Sequence, residues 1–329
     1  MGFLLALLLS FIPALGCAAL VYWLDRYEKE PRILLGAVFG WGAVIAVIGA
    51  VVAQLFLEGV MTAATGSEKA ADFAGMAVFA PVTEESLKGI AVLLVFLVLR
   101  REFDSVLDGI VYAAVVALGF GAMENTFYLY GESIEKGMDG LFTLFIVRVV
   151  LGIWDHPFYT SFIGIGLAMA RLSRSAAVRW LAPPAGWCVA LAFHGLHNTF
   201  ASLSEGTPAL GALMFLVDWA GWLFMAILML VLIRREGRLL GAHLKEEMDA
   251  GRLSAAQYRT AASSWARSGA RLRALFRGRS GATRRFYQVC GELAHKKDQL
   301  ARLGDEGCNT VLVEQLRTEL AGLSGQAVG

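Results

Sequence analysis

The chain has 329 residues, 57% hydrophobic and 17% charged, with a mean hydropathy of +0.59. That composition sets aside a soluble globular domain and describes a multi-span membrane protein. The net charge of +1 hides a split: residues 1–233 carry 12 Lys and Arg against 18 Asp and Glu, and residues 234–329 carry 17 against 10.

Apolar runs of about 20 residues, enough to cross a bilayer, fall at 3–24, 33–59, 73–99, 109–130, 141–170, 180–203 and 209–233. The expected fold class is therefore all-α: about seven transmembrane helices enclosing a polar intramembrane site, plus a C-terminal cytoplasmic helical region. Residues 2–24 lack a basic leading segment and read as a retained first helix rather than a cleaved signal. The fifth run is long and contains Pro157, which predicts a kink or a break there. Loops after odd-numbered helices hold Arg26, Lys29, Arg32, Arg100, Arg101, Arg171, Arg174 and Arg179; loops after even-numbered helices hold Lys69 and Lys136. The positive-inside rule then sets the N-terminus outside and the C-terminus in the cytoplasm.

Residues 1–233 are read as the membrane domain and 234–329 as a basic cytoplasmic region with helical periodicity. Gly and Ser breaks are expected near 250–254, 278–282 and 304–307. The stretch 271–285, RLRALFRGRSGATRR, is basic with an apolar side and suits an anionic lipid surface or a solvated helix at the inner boundary. No recognised module accompanies the charge, so no nucleic-acid partner is expected. Cys17, Cys188, Cys290 and Cys308 have no CxxC spacing and suggest neither a disulfide framework nor a thiolate metal site.

Polar residues interrupt four of the apolar runs. They are Glu84-Glu85-x-x-Lys88, Phe120-x-x-x-Glu124-Asn125, Asp155-His156-x-x-x-Thr160 and His194-x-x-His197-Asn198. An ionisable residue at the middle of a spanning helix costs roughly 2.5–3.5 kcal/mol on insertion scales. Glu85 lies 15 residues from Arg100, Glu124 16 from Asp108, His156 15 from Arg171, and His194 15 from Arg179. At about 1.5 Å per residue, each sits about 23 Å from its inner helix end. In a core about 30 Å thick, that is a single layer in the outer half. Asp218 shares the layer and reads as a supporting partner. Asp155 and Arg148, two turns apart, are candidates for a structural pair.

His194, His197 and Asn198 fall on one helix face, and Glu84 can pair with Lys88 at i, i+4. Glu84 and Glu85 differ by about 100° around the helix, so their tasks should differ. Carboxylates and neutral imidazoles from separate helices are zinc ligands, and a further glutamate can activate water. Asn198 can donate to a developing oxyanion. A metal-free arrangement, with a glutamate and a histidine activating water, uses the same residues.

These motifs resemble the PrsW family of intramembrane proteases, relatives of the CAAX prenyl protease and bacteriocin-processing superfamily. The family's Glu-Glu-x-x-Lys helix is matched by Glu84, Glu85 and Lys88, and its Phe-x-x-x-Glu-Asn element by Phe120, Glu124 and Asn125. His156 with Thr160, and His194 with Asn198, match its two histidine elements. His197 stands where the family often has an aromatic residue. Glu124 stands where the prenyl-protease branch has histidine, which argues against a prenylated substrate. The resemblance implies a metalloprotease of the bacterial plasma membrane whose partner is a membrane-anchored protein substrate, such as an anti-sigma factor, cut near the outer surface.

The expected catalytic residues are Glu84, Glu85, Lys88 and Asn198. Glu84 is assigned as base and Glu85 as ligand or positioning group, with the reverse open. The expected zinc ligands are Glu124, His156 and His194, with Glu85 and His197 as alternates. Two rival classes use the same residues: a proton-coupled transporter, and an inactive membrane binding or sensing protein. No inverted repeat supports the transporter.

Overall fold

The computed structural model describes residues 2–204, 206–305 and 308–328. Among them there is no strand, in keeping with an all-α chain. Among the described residues, six helical stretches are long and apolar enough to cross a membrane: Gly2–Leu24 (α1), Arg32–Thr65 (α2), Val106–Glu135, Gly137–Leu172 (interrupted by a turn), Ala176–Ser204 and Pro208–Asp249. A further helix, α3, runs over 68–98. It is long enough but falls short on apolarity because it carries Glu84, Glu85 and Lys88. Val106–Glu135 is α4.

The fifth apolar run is two helices. Residues 137–150 form α5, a turn covers 151–154, and Asp155–Leu172 forms α6. Pro157 lies in the first turn of α6, where its missing N–H leaves no helical hydrogen bond unmade. The break therefore comes just before the proline and sets Asp155 and His156 at a helix start. Ala176–Ser204 is α7 and Pro208–Asp249 is α8.

The polarity of the surface is inverted, as a bilayer requires. Leu4, Ile12, Ile33, Phe56, Val98 and Leu181 are exposed, whereas Glu84, Glu85, Lys88, His194 and Asp218 are buried. Central to the bundle is α4, buried almost continuously from Leu107 to Ala122. Its start is fixed by a capping box: Ser105 Oγ accepts from Asp108 N, and the Asp108 carboxylate accepts from Ser105 N. Where α4 meets α6, Gly109 and Gly164 face each other. A Cβ on Gly164 would lie 2.0 Å from the Gly109 carbonyl oxygen, and one on Gly109 2.3 Å from that of Gly164. Only glycine at both positions allows this approach, and such close approach strengthens the van der Waals packing that helps hold helices together in lipid.

Two compact units divide the chain. One comprises residues 1–23 and 30–227; the other comprises 24–29 and 228–329. The dividing point at 227/228 lies inside α8, which continues without a break to Asp249. In the second unit, helices Ala255–Ala261, Ser264–Phe276, Ser280–Leu303 and Asn309–Ser324 follow. Their ends agree with the expected breaks, apart from residues 306 and 307, which lie outside the described residues. The turn at 262–263 has no Gly or Pro to announce it. Glu247 is a buried hub here, held by Arg252 at 2.7 Å, Lys297 at 2.7 Å and Arg317 at 3.0 Å. The short segment 24–29 joins this unit: Lys29 N donates to Gln288 Oε1, and Ser264 N donates to the Tyr27 hydroxyl.

Candidate active site

Local irregularities in α3 shape the site. Residues Gly75–Phe79 form a π-turn, which displaces backbone groups from the regular ladder and often marks functional positions. The Met76 carbonyl accepts from Asn198 Nδ2 at 2.9 Å. A Cβ on Gly195 would lie 2.9 Å from the Ala77 carbonyl oxygen, so glycine lets α7 dock on the π-turn. One turn later the helix is regular, and Glu84, Glu85 and Lys88 point into the bundle. Gln54 Nε2 on α2 donates to Glu84 Oε1 at 3.2 Å.

The 100° offset between the two glutamates gives them different surroundings. Glu85 is fully buried and fully engaged: Oε1 accepts from Lys88 Nζ at 2.5 Å and contacts His194 Nδ1 at 2.9 Å, and Oε2 accepts from Thr160 Oγ1 at 2.7 Å. Glu84 Oε2 is buried and has no hydrogen-bond partner. It faces Lys88 Nζ and His194 Nε2, each at 3.8 Å.

Both imidazoles are oriented by carboxylates. His194 Nδ1 bonds Glu85 as above, which leaves the lone pair on Nε2, toward Glu84. His156 Nε2 bonds Glu124 Oε2 at 2.9 Å, which leaves the lone pair on Nδ1, where it accepts from Lys88 Nζ at 3.1 Å; an ion bound there takes the place of that hydrogen bond. The rings stand edge to face with centroids 5.2 Å apart. Such carboxylate–histidine pairs fix tautomer and ring direction in metal sites. Glu84, His156 and His194 together offer one oxygen and two nitrogens, all within 4.8 Å of one another.

Glu124, expected as a ligand, has one oxygen anchored: Arg148 Nη2 donates to its Oε2 at 2.7 Å, and Arg148 Nε donates to Asn125 Oδ1 at 2.8 Å. Arg148 thus serves α4, where sequence spacing suggested Asp155. Asn198, expected near an oxyanion, spends a donor on the Met76 carbonyl. Lys88 lies within reach of both glutamates and over the Phe120 ring at 4.4 Å. His197 points away to a separate group, with Nδ1 2.8 Å from Asp218 Oδ2. Sequence reasoning missed Gln54 and Tyr159. Tyr159 stacks on His194 at 5.2 Å and donates to Asp218 Oδ1 at 2.9 Å. A tyrosine or glutamine in an apolar run carries no spacing signal of its own.

A polytopic helical protein that encloses carboxylates, imidazoles and an ammonium holds the groups that a membrane-embedded hydrolase needs to activate water. The sequence pattern described as PrsW family intramembrane metalloprotease matches residues 30–232, and the chain belongs to that family. Its relatives include Protease PrsW of Bacillus subtilis (strain 168), 29% identical over 170 residues, which are 51% of this chain and 71% of that one. Protease PrsW of Geobacillus kaustophilus (strain HTA426) is 28% identical over 49% of this chain and 64% of its own. Protease PrsW of Clostridioides difficile (strain 630) is 30% identical over 48% and 62%. No solved structure matches the chain.

Proposed function

We propose that this chain hydrolyses a peptide bond of a membrane-anchored protein near the outer face of a bacterial plasma membrane, using a zinc ion held by Glu84, His156 and His194. One observation carries the reading: a buried acceptor without a donor, Glu84 Oε2, stands opposite two imidazoles whose tautomers are set by other carboxylates. An unpaired buried acceptor is costly, and a cation relieves it. The donor set of one carboxylate and two histidines is a zinc set. The charges agree: Glu84, Glu85 and Glu124 face Lys88 and Arg148, which leaves one negative charge to be met.

Zinc in such a site supplies a Lewis acid for the scissile carbonyl and eases the ionisation of water. The chain's own residues then divide the work. Glu85, tied by Thr160 and Lys88, holds His194. Arg148 and His156 hold Glu124, whose side chain keeps 18% exposure against 6% for Glu84 and 0% for Glu85. That access makes Glu124 the residue placed to accept the proton of the attacking water, and Glu84 a ligand. Lys88 carries the positive charge nearest the centre and can steady the oxyanion. Asn198 is a positioning residue for the π-turn.

The orientation has the N-terminus outside and the C-terminus cytoplasmic. Eight basic residues against two in the loops support it, as does the shared unit of residues 24–29 and 228–329, which keeps the first loop and the C-terminal region on one side. The family resemblance favours an anti-sigma factor as substrate.

The test compares protein N-termini in membranes of cells producing wild type or Glu84→Gln at equal levels. New N-termini near the outer boundary of single-span proteins, present with wild type and absent with the variant, are expected. Identical sets of N-termini would sink the proposal.

A further inference from the structure

A second cluster of ligand-type side chains lies outside the group just described. Asp155 at the start of α6, His197 on α7 and Asp218 on α8 each offer a ligand atom, and these atoms lie within 4.8 Å of one another. Three consecutive helices converge to bring them together.

The details of the cluster are those of a ligand shell. Asp218 is buried; its Oδ2 lies 2.8 Å from His197 Nδ1, and its Oδ1 accepts from the Tyr159 hydroxyl at 2.9 Å. Tyr159 thereby fixes the carboxylate from outside, as partners around metal ligands do. Asp155 Oδ1 is shut off from solvent and has no hydrogen-bond partner. No Lys or Arg forms a salt bridge with either carboxylate among the described residues. Two adjacent carboxylates in a bilayer, with an imidazole in contact and the Arg148 guanidinium acting only from beyond salt-bridge distance, are unfavourable unless a proton or a metal ion joins them. The buried indole N–H of Trp222 faces Asp155 without strict hydrogen-bond geometry, which makes an enclosed water the competing occupant.

We infer that Asp155, His197 and Asp218 form a second divalent-cation site, taking a first-row transition-metal ion through an oxygen, nitrogen, oxygen donor set. It is separate from the Glu84 group: the two share no ligand, and Tyr159 lies between them, stacked on His194 and hydrogen-bonded to Asp218. An ion there would tie the start of α6 to α7 and α8, and so fix the α6 turn that carries His156. The inference stands whether or not the chain is a protease.

The test uses the full chain in detergent, stripped with a chelator, reloaded with Zn²⁺ and freed of excess ion, with metal per chain counted by mass spectrometry. Asp155→Asn is the informative variant, because it removes the charge while keeping the side chain's size and one oxygen. Wild type should hold two ions, Asp155→Asn one, His194→Gln one, and the double variant none. Zn²⁺ should raise the melting temperature of His194→Gln and leave that of the double variant unchanged, which also reports that both are folded. A single ion lost in Asp155→Asn and kept in His194→Gln would support this site while removing zinc from the Glu84 group. One ion or none in wild type, with Asp155→Asn identical to it, would overturn the inference and leave water or a proton between Asp155 and Asp218.

Discussion

Glu84 and Glu85 are neighbours on one helix, yet one is bonded through both oxygens and the other keeps a free one. The difference follows from a rotation of about 100°, which turns Glu85 toward Thr160 and His194 Nδ1 and leaves Glu84 beside Gln54, with Lys88 and His194 Nε2 at 3.8 Å. Sequence spacing says that their tasks differ; which is which depends on neighbours contributed by α2, α6 and α7. The histidines were more legible, since a shared depth on separate helices requires only counting. Asn198 was not, because its partner is a carbonyl freed by a π-turn, which no residue pattern announces. Thr160→Val leaves Glu85 Oε2 buried and unpaired. That should destabilise the protein by about 1–3 kcal/mol and lower cleavage about 10–100-fold through His194; Thr160→Ser should restore most of both. Thermal unfolding and initial cleavage rates read the two effects, and an unchanged rate in Thr160→Val would detach Glu85 from His194.

At the scale of elements, the apolar runs mark the helices well because a bilayer tolerates little else. The run containing the site carries three charges within five residues, Glu84, Glu85 and Lys88, and those charges set it apart from the other spans. The long fifth run hid a break at 151–154; Pro157 signalled it to within a few residues, since proline belongs to the first turn of the helix that follows. Contacts between helices are less visible in sequence. The Gly109–Gly164 approach joins α4, which carries Glu124, to α6, which carries His156. Gly164→Ala should force these helices apart at a cost of about 1–3 kcal/mol. Asn198→Ala should cost about 1 kcal/mol and reduce cleavage less than Glu84→Gln does. Unfolding in a graded denaturing detergent measures both, and a Gly164→Ala variant as stable as wild type would contradict the packing described.

For the whole molecule, charge asymmetry separates a membrane region from a basic C-terminal one, but it did not reveal that residues 24–29 fold with the latter or that α8 runs through the junction. Within the C-terminal unit, Glu247 gathers Arg252, Lys297 and Arg317. Removing it takes one partner from Lys297 and Arg317, which keep Glu246, and leaves Arg252 without its salt bridge; Glu247→Ala should destabilise that unit by about 1–3 kcal/mol, read by the unfolding of its helices. The proposed orientation predicts that a fluorescent protein fused after residue 329 matures, whereas a periplasm-dependent phosphatase at the same point stays inactive. An active phosphatase would reverse the topology and put the site in the inner half of the bilayer.

The central claim is that Glu84, His156 and His194 hold an ion on which peptide hydrolysis depends. It is tested most directly by measuring cleavage of a purified single-span substrate in liposomes alongside bound zinc, for wild type and His194→Gln of equal melting temperature. The account predicts that the variant loses one zinc ion per chain and at least about 100-fold in rate together, a barrier increase of about 2.7 kcal/mol. A folded His194→Gln protein that cleaves at the wild-type rate, or that keeps all its zinc, would contradict it.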